Sequence, residues 1–108
     1  MPANNFLKER WFRLSLCEQM GNIGSEVARA LKWREKNARE HSEKAVERVM
    51  ELFSLTLSDP RWRERAKEIA RAHEVFNDFF YGGNQYKSTK AELDRYFMQF
   101  AVAARLHK

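Results

Sequence analysis

The stretch FRLSLCEQMGNIGSEVARAL, residues 12–31, decides the fold class. Its large apolar residues Phe12, Leu16, Met20, Ile23, Val27 and Leu31 recur at steps of four, four, three, four and four. Consecutive helical residues point about 100° apart, so this spacing gathers all six on one face of an α-helix, whereas a strand would alternate. The rhythm predicts a long first helix that begins near Asn4 or Asn5, either able to cap a helix, and runs to about Lys36. Unbroken, it would measure about 45 Å. A stripe of small residues, Cys17, Gly21, Gly24 and Ala28, runs beside the large one. Glycine inside a helix costs about 1 kcal/mol relative to alanine, so Gly21, Gly24 and Ala28 are expected to mark close packing of another helix. The alternative is a kink at Gly21-Asn22.

The same rhythm fills the rest of the chain between clear interruptions. Asn37, within the polar run 35–40, suits the left-handed conformation that ends helices. A second helix over 39–57 is expected to bury Ala45, Val49, Leu52, Phe53 and Thr56. Asp59 is then a natural N-cap, and Pro60 fits the first helical position, where no N–H is needed. A third helix, 60–81, follows Trp62, Ala66, Ile69, His73, Phe76 and Phe80 until Gly82-Gly83-Asn84 stops it. Thr89-Lys90-Ala91-Glu92 reads as a capping box opening a fourth helix to about Leu106, with Leu93, Phe97, Phe100 and Ala104 inward. Four helices with short connections predict one all-α domain over 1–108, an antiparallel up-and-down four-helix bundle with a long first helix.

Composition narrows the function classes. A chain of 108 residues hides about two-thirds of its unfolded surface on folding, enough for one core. No stretch approaches the ~20 apolar residues of a membrane span, and the first five residues lack a signal peptide's basic and apolar regions. With Cys17 alone there is no internal disulfide, so a cytoplasmic protein is expected. The net charge of +5 gathers at the two ends, with +3 over residues 1–36 and +3 over 82–108. That is modest for a protein holding nucleic acid mainly by neutralising phosphates.

Few residues offer chemistry. The residues three before His41, His73 and His107 are alanines, so the Glu-x-x-His ligand pattern of di-metal bundles is absent. Glu40-x-x-Glu43 resembles the acidic pair of magnesium-dependent helical nucleotide pyrophosphatases. That resemblance would require a second acidic pair, which Glu74-x-x-Asn77-Asp78 breaks. No metal or other cofactor is expected. His73 lies on the apolar stripe, where a bond to Asn77 one turn on would satisfy it. The spacing Arg34-x6-His41 is similar to the Arg-x(4–6)-His motif of HEPN-type helical ribonucleases, over eight residues. The resemblance implies a paired RNA-cleaving site in which Arg34 holds a phosphate and His41 moves a proton. Glu35 stands where that motif usually has an uncharged polar residue, and its charge would oppose phosphate.

Two surfaces remain. Trp33, Arg34 and Lys36 near the end of one helix, and Arg61, Trp62, Arg63 and Arg65 at the start of another, combine rings and cations that suit bases and phosphates. Interleaved glutamates neutralise part of that charge. The aromatic residues crowd the C-terminal half, and neighbours 100° apart cannot all face one core. Phe79, Tyr81, Tyr96 and Met98 are therefore expected to form an outward patch that pairs copies of the chain. The resulting expectation is a non-catalytic assembly protein, self-associating and docking an acidic protein or nucleic acid. The alternative is a HEPN-like RNA-binding or RNA-cleaving domain of a toxin–antitoxin-like system.

Overall fold

A computed structural model describes residues 2–106, with side chains described from residue 7 onward. Five α-helices follow one another: α1 (Pro2–Trp11), α2 (Leu16–Glu35), α3 (Arg39–Ser58), α4 (Ala66–Phe80) and α5 (Lys90–Leu106). A 3-10 segment (Pro60–Arg65) links α3 to α4, and no strand occurs among the described residues. The molecule measures 34 × 30 × 24 Å, too short for the expected single first helix.

That helix is two helices. The chain unwinds at 12–15, with Arg13 and Leu14 N–H groups bonding back three residues, to Arg10 and Trp11. Ser15 is extended and caps α2 reciprocally with Glu18: each side chain accepts from the other's backbone N–H. The sequence Ser15-x-x-Glu18 carries this signal, but Phe12 and Leu16 keep helical spacing across the break and mask it. The break turns α1 back onto α3, burying Trp11 and letting its indole N–H donate to Thr56 Oγ1 at 2.9 Å. Asn4 and Asn5 lie inside α1 rather than ahead of it. The alternative kink at Gly21-Asn22 does not occur, because α2 is continuous through both residues.

The third expected helix is also divided. Asp59 accepts from the Arg61 N–H, holding Pro60–Arg65 in a tight 3-10 turn. Trp62 departs from helical geometry there (φ −105°, ψ 19°), and α4 starts only at Ala66. The other stops follow the sequence. Asn37 takes φ 58° after α2, α4 ends at Phe80, and Thr89 and Glu92 form the capping box of α5. Between α4 and α5 the Asp78 carboxylate accepts from Gln85 and Tyr86 N–H, while Asn84 bonds both backbone groups of Ser88.

α2 is the central helix. One side packs along α3, the other along α5, while α4 leans on α3. Met20, Ile23, Val27, Val49, Phe53 and Phe76 fill the interior with almost no exposure. α5 reaches α2 through the glycines. A Cβ on Gly24 would overlap the Cβ of Phe97, and one on Gly21 would stand 3.1 Å from the Ala101 Cα. Here the missing side chains let the Ala101 backbone approach at Gly21 and seat the Phe97 side chain at Gly24. Ala28, on the same stripe, is exposed.

Candidate functional site

The residues singled out for catalysis serve different neighbours. Arg34 donates to the Phe80 carbonyl at 3.2 Å and lies 4.8 Å over the Phe80 ring. His41 stacks on Trp33, with ring centroids 4.6 Å apart. The guanidinium thus faces the end of α4, while the imidazole is held by its own helix–helix turn. No grouping of metal-ligating side chains occurs among the described residues. His73 stacks on Phe53 at 4.7 Å, and its Nε2 meets the Met50 sulfur at 3.0 Å rather than Asn77. The Asn77 side-chain oxygen is buried without a partner. Burial holds the His73 ring below its ordinary value of 6.5, against the opposing pull of Glu74.

Most of the Trp–Arg residues expected to meet nucleic acid hold the fold together. Asp59, 3% exposed, receives Arg61 through Nε and Nη2, the latter at 2.7 Å, and Arg61 also donates to the Leu14 carbonyl. The fully buried Gln19 completes the network. Its amide N–H₂ donates to the Trp11 carbonyl and to Asp59, and its oxygen accepts from the Trp62 indole at 2.8 Å. The Arg61 hydrogen bond, joined by those from its backbone N–H and from Gln19, keeps the Asp59 carboxyl below the ordinary carboxylate range despite burial. Arg65 is engaged by Glu68 at 2.9 Å, and Lys36 lies over the Trp33 ring. Arg63 is exposed and outside these contacts.

A different basic site comes from three helices at once. Arg10 of α1, Arg29 of α2 and Arg48 of α3 line a cleft of about 470 Å³, with Asn22 and Ser25 beside them and Trp11, Leu14 and Leu52 as its apolar wall. Arg29 gives one N–H to Glu26 at 2.7 Å, and Arg48 gives one to Glu51 at 3.2 Å. A guanidinium carries five donors, so both keep donors for an incoming anion. Residues so far apart in the chain offer no local motif, which hides this cleft from sequence reading.

The four residues expected to form a pairing patch divide. Phe79 packs against the core, and Tyr96 sits among Phe97 and Phe100 at centroid distances of 5.2 and 5.5 Å, where burial raises its hydroxyl pKa. Tyr81, 64% exposed, lies beside Arg39 and Glu43 at the start of α3. Met98, 55% exposed, stands on the outer face of α5. It is joined there by two residues the sequence reading left out, Val102 at 40% and Leu106 at 75% exposure. Met98, Val102 and Leu106 follow one another at helical four-residue steps, on the face turned from Leu93, Phe97 and Phe100. The spacing was there to be read. α5 thus has two apolar faces, one seated on α2 and one open.

No helix among the described residues is long and apolar enough to cross a membrane. Compared with known proteins, the chain matches no protein-family model, no curated protein and no solved structure.

Proposed function

We propose that this chain is a non-catalytic helical assembly protein of the cytoplasm that binds a second copy of itself through the outer face of α5. In this reading α2, α3, α4 and α5 form an antiparallel up-and-down four-helix bundle, with α1 laid against α3. The observation that carries it is the open ridge Met98–Val102–Leu106 on a helix whose other face is already fixed to α2. Exposed apolar residues in line, rather than scattered, mark contact surfaces, and closed pairs are the commonest assemblies. Sedimentation velocity at micromolar concentration tests it. The expected species has twice the 12.9 kDa chain mass, and a single chain throughout would end the reading.

A second reading, docking of an acidic partner, is favoured by the cleft of Arg10, Arg29 and Arg48 rather than by the tryptophan segments. Single-stranded RNA is the probe, its binding followed by fluorescence anisotropy at two salt concentrations. Phosphate contacts weaken steeply with salt, and Arg48→Gln should flatten that slope. The HEPN-like alternative draws no support from the divergent settings of Arg34 and His41. RNA cleavage lost in His41→Ala would restore it.

A further inference from the structure

The proposed self-association leaves open how two copies meet, and the charges flanking the α5 ridge answer that. Asp94 and Arg105 are eleven residues apart, three helical turns, which puts them about 20° apart around the axis on one flank of the ridge. Both are exposed, and neither forms a salt bridge among the described residues, although the Asp94 charge is felt at Lys90. Lys90, one turn before Asp94, is engaged by Glu35 at 2.8 Å. The midpoint between Met98 and Val102 lies within half a residue of the midpoint between Asp94 and Arg105.

A helix with that symmetry complements itself when reversed. A two-fold axis perpendicular to α5 at about residue 100 carries each position to its mirror position along the partner helix. Residues on one flank meet residues of the same flank. Met98 then faces the partner's Val102, and Asp94 faces the partner's Arg105, each contact occurring twice. Arg95 lies on the ridge itself, about 20° from Val102 around the axis, and comes within a residue of level with the partner's Leu106, where its methylene stem can cover the exposed leucine. In a two-fold parallel pair this flank would instead face the partner's opposite flank, and Arg105, near the end of a helix whose only acidic residues are Glu92 and Asp94 at its start, would find no acidic counterpart. From this pattern, and resting on the self-association proposed above, we infer that α5 pairs with the α5 of a second copy in an antiparallel, two-fold arrangement centred between Met98 and Val102.

A charge swap tests the arrangement by sedimentation equilibrium. Wild type, Asp94→Arg, Arg105→Asp and the double variant are compared, with melting followed by circular dichroism to verify that each folds. Each single variant turns two attractions into two repulsions, so dimerisation should weaken about tenfold. The double variant should return to within about twofold of wild type. About 1 M salt should shrink the single-variant deficits while the apolar centre keeps the pair together. Met98→Glu should give a single chain. Wild type that associates while both single variants match it overturns the antiparallel register and leaves self-association standing. Association that survives Met98→Glu removes α5 as the contact, and wild type that never associates removes both ideas.

Discussion

α2 holds its neighbours by two opposite means within about a turn of helix. Gln19 ties it to the segment around Asp59 and Trp62 through a buried, fully occupied hydrogen-bond network. Gly21 and Gly24 hold α5 by contact alone, Gly21 against the Ala101 backbone and Gly24 against the Phe97 side chain. The first attachment depends on chemistry, since each donor and acceptor must be matched or it is left unsatisfied out of water. The second depends on volume and is indifferent to pH. A molecule can therefore lose either attachment separately.

The largest expected effect is on the polar side. Asp59→Ala leaves Gln19 and Arg61 without their shared acceptor and should lower stability by about 2–4 kcal/mol in urea unfolding. That range is discounted because the Arg61 side chain is 41% exposed and can turn to water. On the glycine side, Gly24→Ala should cost about 1–3 kcal/mol although alanine is the better helix former, because the new methyl meets Phe97 at its Cβ, which cannot swing away. Gly21→Ala has 3.1 Å to its nearest neighbour and should come out near neutral, strain offsetting propensity. If both glycines tolerate alanine equally, the close seam with α5 is not what they are for.

Acid separates the two attachments further. His73 is kept neutral by burial, so its folded pKa lies below the unfolded 6.5. Its contribution is complete above that pH and lost as pH falls through the folded value. Asp59 is also lowered, by its bonds to Arg61 and Gln19, so its contribution is present above 3.8 and lost only below that. Stability should therefore fall in two limbs on acidification, read as urea midpoints against pH. His73→Leu should remove the upper limb and Asp59→Asn the lower, while Gly24→Ala shifts the whole curve without changing its shape. The smallest effect belongs to the open face of α5. Val102→Glu should change the melting of the isolated chain by no more than about 0.5 kcal/mol, since it fills no internal space.

Much of the fold was legible because its signals are local. The apolar spacing of 16–31 and 45–56, the Asp59-Pro60 punctuation, Asn37 and the Thr89–Glu92 box each act within one or two helical turns. The breaks that were misread show the limit. Phe12 and Leu16 keep helical spacing across an interruption, so periodicity alone joined α1 to α2, although Ser15 and Glu18 carry a capping box. Trp62 keeps helical spacing too, yet turns aside to give its indole N–H to Gln19. The candidate surfaces were legible only in part. Met98 neighbours Tyr96 and Phe97 and so falls within the aromatic crowding, whereas Val102 and Leu106 continue its exposed face only through their four-residue steps. Arg61, Trp62 and Arg65 looked like surface readers of phosphate and base, and are largely occupied at home.

By itself the sequence determined that this chain is helical and where most helices stop, because capping, turn conformation and apolar period are decided by residues that are already neighbours. Only the tertiary structure decided which polar groups are spent inside and which faces stay open. Gln19 meets Asp59 and Trp62 from about forty residues away. Arg10, Arg29 and Arg48 converge from three helices. α5 finds α2 through two glycines. Those pairings are set by how helices pack in three dimensions, and local spacing carries no record of them.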